Sequence, residues 1–295
     1  MTVLEARARA VERLTRADAS GSARFGTPGL DADLLLCHRL GVSRSYLLAH
    51  RETELGDAES AFWADVERRA GGIPVAYLVG SKEFWGLSFS VSPAVLIPKP
   101  DTETLVELAV TRLAERDGNP SAPPRVLDAC TGSGCVAVSI AHSRQDARLT
   151  ATDISGEALA VARLNADALV GPNRVTFLQG DLWDGLPSIA GGWDLIVSNP
   201  PYVPTETAEA LLSDGRGEPR LALDGGADGL DLVRQLASVA LTSLAPSGIL
   251  LVETGEYNAA EAAAYFERLG YCDIVVHKDL EGQDRVVEGR KNDDR

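Results

Sequence analysis

Residues 125–134 read Arg-Val-Leu-Asp-Ala-Cys-Thr-Gly-Ser-Gly. Val126-Leu127-Asp128 has the apolar run of a buried strand. Gly132 and Gly134 then let the chain turn tightly into a helix near 134–143. Downstream the same alternation continues. Strands are expected at 149–153, 175–178, 195–198, 249–252 and 274–276, and helices near 155–169, 228–244 and 258–269. Such alternation implies an α/β fold with a doubly wound, mostly parallel, Rossmann-like sheet, whose ligands sit beyond the carboxyl ends of the strands.

Upstream, residues 101–115 carry Leu105, Leu108, Ala109 and Leu113 on one helical face, and a polar, proline-rich loop spans 119–124. Leu87, Phe89 and Val91 alternate with Ser88 and Ser90. With 75–78 before them they suggest a β-hairpin linker over 73–98. Residues 1–72 read as helices: Leu4, Val11 and Leu14 recur at helical spacing, and Gly41 with Ser43 breaks 31–50 into two. The expected division is a helical domain over 1–72, the linker over 73–98 and an α/β domain over 99–295. The tail, 289–295, is expected to fray.

Composition narrows the function. Of 295 residues, 45% are hydrophobic, enough for a sizeable core. No apolar run approaches the ~20 residues of a membrane span. Residues 1–14 lack the apolar stretch of a signal peptide, so a cytoplasmic location without membrane attachment is expected. The net charge of −15 is opposite in sign to the basic footprint of a duplex-binding protein. The four cysteines, Cys37, Cys130, Cys135 and Cys272, form no CxxC pair, and the four histidines are scattered. Neither a disulfide framework nor a metal site is expected.

The strand ends carry a cofactor constellation. Asp128, Cys130, Thr131, Gly132, Ser133 and Gly134 form the first turn. It has neither the third glycine of a dinucleotide loop nor the Lys-Ser/Thr of a triphosphate loop. Asp153 ends the second strand, where a carboxylate can accept both ribose hydroxyl protons. Asp181 ends the third, within reach of an adenine amino group, and Leu182 or Trp183 can cover the ring. Each acid alone could be a turn former. Three at successive strand ends suit a nucleoside with a cationic, phosphate-free tail, and S-adenosylmethionine fits.

The fourth strand, 193–198, runs into Asn199-Pro200-Pro201-Tyr202. Two prolines stop a sheet strand, and each biases its predecessor towards an extended backbone. The result is a stiff turn with a fixed amide. Asn199 Oδ1 and the Pro200 carbonyl can accept both protons of a planar N–H2 group, and Tyr202 can lie on its flat face. That geometry stabilises positive charge growing on the nitrogen during methyl transfer. Asn199 also borders the cofactor. On its own the turn specifies only a planar nitrogen: an amide or an aromatic amino group.

These segments together resemble the release factor glutamine methyltransferases, the HemK/PrmC family. The resemblance runs through 31–50, Pro74–Tyr77 with Gly80 and Glu83-Phe84, Leu96–Glu103, Asp128–Gly134, Asn199–Tyr202, Glu218–Leu223 and Asp224-Gly225-Gly226. It implies a helical N-terminal domain that helps dock a protein substrate, a hairpin linker and a seven-stranded methyltransferase sheet. It implies S-adenosylmethionine and methylation of the glutamine amide in the Gly-Gly-Gln motif of peptide chain release factors. A monomer without metal or direct nucleic-acid contact is expected. Lys99, Glu103 and Glu218 fall in family segments expected at a lid or substrate loop. Lys99 stands where the family usually has Arg, and Cys130 where it usually has Gly. The alternatives are a paralogous enzyme acting on another amide, and an adenine-amino nucleic-acid methyltransferase.

Overall fold

The structure is a computed structural model that describes all residues except 20–26, 116–121, 183–185, 187–188, 214–216 and 293–295, and the side chains of 19 and 213. The chain divides into two compact units: Met1–Ser81 with Glu209–Gly217, and Lys82–Ala208 with Glu218–Arg295.

The first unit is helical. It comprises α1 (Val3–Ala19), α2 (Pro28–Leu40), α3 (Arg44–Ala49), α4 (Ala58–Ala70) and α5 (Val75–Val79). Its core stripe on α1 is Val3, Ala6, Ala10, Leu14 and Ala17, with Leu4 on the exposed side. The 3.6-residue period is as expected, but small alanines carry most of it, because α1 packs closely on α2 and α4. Gly41 ends α2 in the left-handed conformation, and the Ser43 side chain caps α3 by accepting from Tyr46 N. Buried Asp31, Asp33 and Asp65 are paired with Arg69, Arg7 and Arg39. Residues 75–79 are helical rather than part of a hairpin. Pro74 lies at the N-cap and Gly80, at φ +74°, at the C-cap.

The hairpin itself is short: β1 (Ser81–Phe84) and β2 (Leu87–Ser90). Trp85 and Gly86 both have positive φ, the two-residue turn that matches strand twist. Glu103 Oε1 accepts from Trp85 N at 2.8 Å, and the Trp85 indole donates to Ser143 Oγ at 3.0 Å. These bonds hold a bulky residue at φ +54°. Phe84 and Phe89 are buried edge to face.

A 3-10 turn (Pro100–Thr102) leads into α6 (Glu103–Glu115). The α/β alternation then runs β3 (Arg125–Ala129), α7 (Cys135–Ser143), β4 (Arg148–Asp153), α8 (Gly156–Leu169), β5 (Val175–Gln179), β6 (Trp193–Ser198), α9 (Thr205–Ser213), a 3-10 turn (Arg220–Ala222), α10 (Asp231–Ser243), β7 (Leu244–Glu253), α11 (Ala259–Leu269), β8 (Cys272–Lys278) and β9 (Asp284–Arg290). The seven strands are ordered β5-β4-β3-β6-β7-β9-β8, with β9 antiparallel to both neighbours. Successive residues feed opposite faces. Val126, Leu195, Val197 and Leu251 pack against one apolar layer with Leu105, Val106 and Ile140. Leu127, Ile196, Leu250 and Val252 pack against the other, with Val233, Leu236 and Phe266. Central strand β6 is therefore buried along its whole length.

The expected tail fraying is corrected at its start. Gly289 and Arg290 pair with β7, and Lys291 N donates to Gly248 O. Arg112 and His277 both bond the buried Glu288, tying α6 and β8 to β9. Four charged residues among seven, with Val286 and Val287 as its only large apolar side chains, hid this strand from the hydrophobic pattern.

The chain proceeds outward from β3 to β5, then returns to place β6 on the other side of β3. That reversal is the switch point where such sheets bind ligands. The β3–β6 register ends flush at Ala129 and Ser198, and Ser198 Oγ donates to Ala129 O at 2.7 Å. Cys130 and Asn199 thus leave the sheet side by side.

Candidate active site

A cavity of about 270 Å3 opens over these strand ends. Asp128, Cys130, Thr131, Gly132 and Ser133 line it from the β3 end, and Asp153 with Ser155 from the β4 end. Asp181 and Leu182 line it after β5, and Asn199 and Pro201 after β6. Lys99, Thr102, Pro219 and Leu221 line the remaining side. Gly134, Pro200, Tyr202, Glu103 and Glu218 do not face it among the described residues, and Trp183 lies outside them.

The loop after β3 is tied down from within. Asp128 Oδ2 accepts from Thr131 Oγ1 at 2.6 Å and from Ala137 N at 3.1 Å. Burial pushes its carboxyl up to about 7, against the pull of those two donors. Thr131 N donates to Thr152 O, joining the loop to β4. Gly132 N donates to Asp153 Oδ2 at 2.8 Å, and Ser155 N to Oδ1 at 2.9 Å. Burial raises Asp153 as well, and backbone N–H groups oppose the rise. Each Asp153 oxygen keeps a second lone-pair site, which leaves capacity for two ligand hydroxyls.

The two glycines serve different ends. A Cβ on Gly132 would meet nothing within 4 Å, so its φ of +56° is its requirement. A Cβ on Gly134 would lie 3.0 Å from the Ala162 Cβ, so this position is small because α7 meets α8 there. Cys130 adopts φ +59°, an uncommon conformation for a residue with a side chain. Its thiol is pushed up to about 12 by burial and by nearby Asp153, so it stays protonated.

Asn165, on α8, escaped the sequence analysis. Fully buried, it accepts from Ser90 N at 2.7 Å and donates to Ser90 O and Ser133 O. It clasps the hairpin to the glycine loop. A polar residue in the Ala-rich stripe Ala158, Ala162, Ala166 was the available signal.

Around the proline turn, Asn199 Nδ2 donates to Thr102 Oγ1 at 3.1 Å. Tyr202 points away from the cavity. Its hydroxyl donates to Glu253 Oε1 at 3.2 Å, and its carbonyl accepts from Asn258 Nδ2 and Tyr257 Oη. The side chain thus anchors the turn to the end of β7. Burial pushes Glu253 up to about 7, opposed by the Thr102 hydroxyl and the Arg285 guanidinium. Lys99 Nζ and the buried Glu218 Oε1 are 2.6 Å apart, joining the segments before α6 and before the second 3-10 turn. Glu103 faces the Trp85 turn instead, so of the three expected lid residues only Lys99 reaches the cavity.

The donor set suits S-adenosylmethionine. Asp153 and Asp181 present acceptor oxygens of the kind ribose and adenine need, Leu182 adds an apolar surface, and carboxylates outnumber cations along the lining, as a positively charged tail requires. No group of three or more His, Cys, Asp or Glu among the described residues is arranged to hold a metal, and no helix there is long and apolar enough to cross a membrane.

Comparison with known proteins gives concordant matches. The PrmC N-terminal domain family matches residues 5–80, and the methyltransferase small domain family residues 106–214. The release factor glutamine methyltransferase of Moorella thermoacetica is 43% identical over 97% of both chains. That of Bordetella pertussis is 43% identical over 90% of this chain and 95% of the relative, and that of Deinococcus radiodurans 40% over 96% of both. Among solved structures, the hMettl16 catalytic domain in complex with MAT2A 3'UTR hairpin 6 has a TM-score of 0.57 at 14% identity, covering 74% of this chain and 80% of that one. That likeness speaks for a methyltransferase fold, and the full-length relatives go further: the chain belongs to the release factor glutamine methyltransferase family.

Proposed function

We propose that this protein methylates the side-chain amide nitrogen of the glutamine in the Gly-Gly-Gln motif of peptide chain release factors, using S-adenosylmethionine. One observation carries the reading: a carboxamide, Asn199, emerges at the β3/β6 switch point beside the cofactor loop, with Nδ2 engaged by Thr102 and Oδ1 without a partner among the described residues. The relatives' shared name supplies the acceptor class.

When bound, S-adenosylmethionine supplies a methyl group on an electrophilic sulfonium. Asp153 would hold the ribose, Asp181 the adenine amino group, and Leu182 the ring face. Oδ1 of Asn199, a residue that lines the cavity, would accept an amide proton of the substrate glutamine. An amide nitrogen is a weak nucleophile because its lone pair is delocalised. A fixed acceptor aims that lone pair at the methyl side and stabilises the positive charge that grows on nitrogen. The product cation is strongly acidic, so it loses its proton to water without a side-chain base. The Lys99–Glu218 pair would border the acceptor entry. The helical unit, matched by the PrmC N-terminal domain family, would help dock the protein substrate.

Replacement of Asn199 by Ala tests the assignment. Transfer to a release factor should fall on the order of a thousandfold, as for removal of a transition-state hydrogen-bonding group, while the Kd for S-adenosylmethionine stays within about threefold. Loss of cofactor binding together with activity would refute the role given to Asn199.

A further inference from the structure

The segment 218–229 does more than border the cavity. Pro219, Leu221 and Ala222 line it, whereas Asp224, Gly225 and Gly229 do not. Those three lie along the chain at the proline turn instead. Val203 N donates to Leu223 O at 2.9 Å and Gly225 N to Val203 O at 2.8 Å, which makes a parallel bridge between Val203 and Asp224. Thr205 pins the bridge. Its hydroxyl donates to Asp224 Oδ1 at 2.7 Å, and its N–H to Gly226 O at 2.9 Å.

Two glycines let this segment come close to the turn. A Cβ on Gly225 would lie 2.6 Å from Pro201 O and 2.8 Å from Tyr202 Cα. A Cβ on Gly229 would collide with Tyr202 O and come within 3.1 Å of Asn258 Nδ2, the group that donates to that carbonyl. Gly229 also has φ +79°. The backbone of 224–229 is therefore seated directly on Pro201 and Tyr202, with no space for a side chain at either glycine.

We propose that Gly225 and Gly229 are positioning residues for methyl transfer: they seat the 224–229 backbone, pinned by Thr205, on Pro201 and Tyr202, and so fix where the Asn199 carboxamide stands. The inference rests on Asn199 holding the acceptor amide, as proposed above. On its other side Asn199 is fixed by β6, through the flush β3–β6 register and the bond from Ser198 Oγ to Ala129 O. Between these two supports the rings of Pro200 and Pro201 lock φ, so the turn has few soft dihedrals with which to absorb a shift. Displacing Pro201 or Tyr202 therefore displaces Asn199. Neither glycine lines the cavity, and each acts through the turn.

Misplacing a reacting group by about 1 Å costs on the order of 100-fold in rate. Asp153 and the loop after β3 stand on other elements, so cofactor affinity should not follow the loss. Gly192 supplies the comparison for general damage. It precedes β6, at the end opposite Asn199, and has φ +75°. A Cβ there would lie 2.5 Å from Ala245 N. Alanine at 192 strains the fold as alanine at 225 or 229 does, but away from the proline turn.

The test uses full-length protein, a purified class I release factor and S-adenosylmethionine, at a temperature well below the melting point of every variant. Gly225→Ala and Gly229→Ala should each lower kcat on the order of 100-fold with the Kd for S-adenosylmethionine unchanged. Gly192→Ala should lower the melting temperature and leave kcat at the wild-type value. Thr205→Val, which removes the hydroxyl on Asp224, should lower kcat by less, and Thr205→Ser should restore it; this pair carries the test if the alanine variants do not fold. Folded alanine variants with wild-type kcat, a loss of kcat that Gly192→Ala matches, or a Thr205→Val enzyme with wild-type kcat overturns the proposal. Loss of cofactor binding in step with kcat overturns it as well. A second measurement needs no acceptor. The Asn199 carboxamide resonances of 15N-labelled protein, assigned through Asn199→Asp, should shift in Gly225→Ala and Thr205→Val and stay in place in Gly192→Ala. Resonances unmoved by Gly225→Ala and Thr205→Val overturn the positioning role even if the release factor proves to be the wrong acceptor. A wild-type enzyme inactive on the release factor, whose resonances respond as expected, overturns the acceptor reading alone.

Discussion

Asp153 Oδ2 accepts the amide proton of Gly132 at 2.8 Å, so the carboxylate at the end of β4 also closes the glycine turn after β3. The same side chain shapes the loop and offers its remaining lone pairs to the cavity. Asp153→Ala should raise the Kd for S-adenosylmethionine on the order of 100-fold, with the loss of two charge-assisted hydrogen bonds. Asp153→Asn should be milder, since its carbonyl oxygen still accepts. Titration calorimetry checks both. Equal affinity for Asp153→Ala and wild type would remove Asp153 from the cofactor site.

The two glycines of the turn should respond differently to alanine. At Gly134 the new Cβ meets Ala162 at 3.0 Å in addition to φ strain, and the cost should be about 3 kcal/mol. At Gly132 only φ is at issue, and the cost should be about 1 kcal/mol. Urea midpoints of the two variants give the comparison. A Gly132→Ala protein less stable than Gly134→Ala would contradict it.

Asn165→Ala should destabilise by about 2 kcal/mol, because the half-buried Ser90 and buried Ser133 backbone groups lose their partners. The damage should reach the cofactor loop. Hydrogen exchange at residues 130–134 should quicken in the variant more than exchange in β6.

Glu253 gives a pH dependence of stability with a definite sign. Its native carboxyl is raised to about 7, above its unfolded value, so the folded state binds the extra proton. Its contribution is fully present below the unfolded pKa and is lost as pH rises towards about 7. Glu253→Gln removes the buried charge. It should therefore stabilise the protein relative to wild type more at pH 8 than at pH 5, by on the order of 2–3 kcal/mol. Thermal melts at the two pH values test this; an increment larger at pH 5 would reverse the assignment.

The sheet was legible because its strands are apolar runs ended by glycine, proline or acid. Asp128, Asp153 and Asn199 could be placed at strand ends from the sequence, and the flush β3–β6 register brings the first and last together. What escaped was tertiary. Tyr202 is aromatic next to a proline turn, so stacking on substrate was the natural expectation, yet it reaches Glu253, more than fifty residues away in the chain. Glu103 caps a turn whose left-handed Trp85 has no sequence signature. Strand β9 carries Asp284, Arg285, Glu288 and Arg290, and its charges are neutralised by partners on other elements. Pattern reading sees period and punctuation. It does not see which distant side chain satisfies a buried group.

The acceptor is the centre of the account, and one measurement reaches it. The protein is incubated with a purified class I release factor and methyl-labelled S-adenosylmethionine, and the modified residue is mapped by mass spectrometry. The account predicts a mass gain of one CH2 on the glutamine of the Gly-Gly-Gln motif and none on a factor carrying Ala there. Label on another residue, or on DNA with none on the release factor, would contradict it.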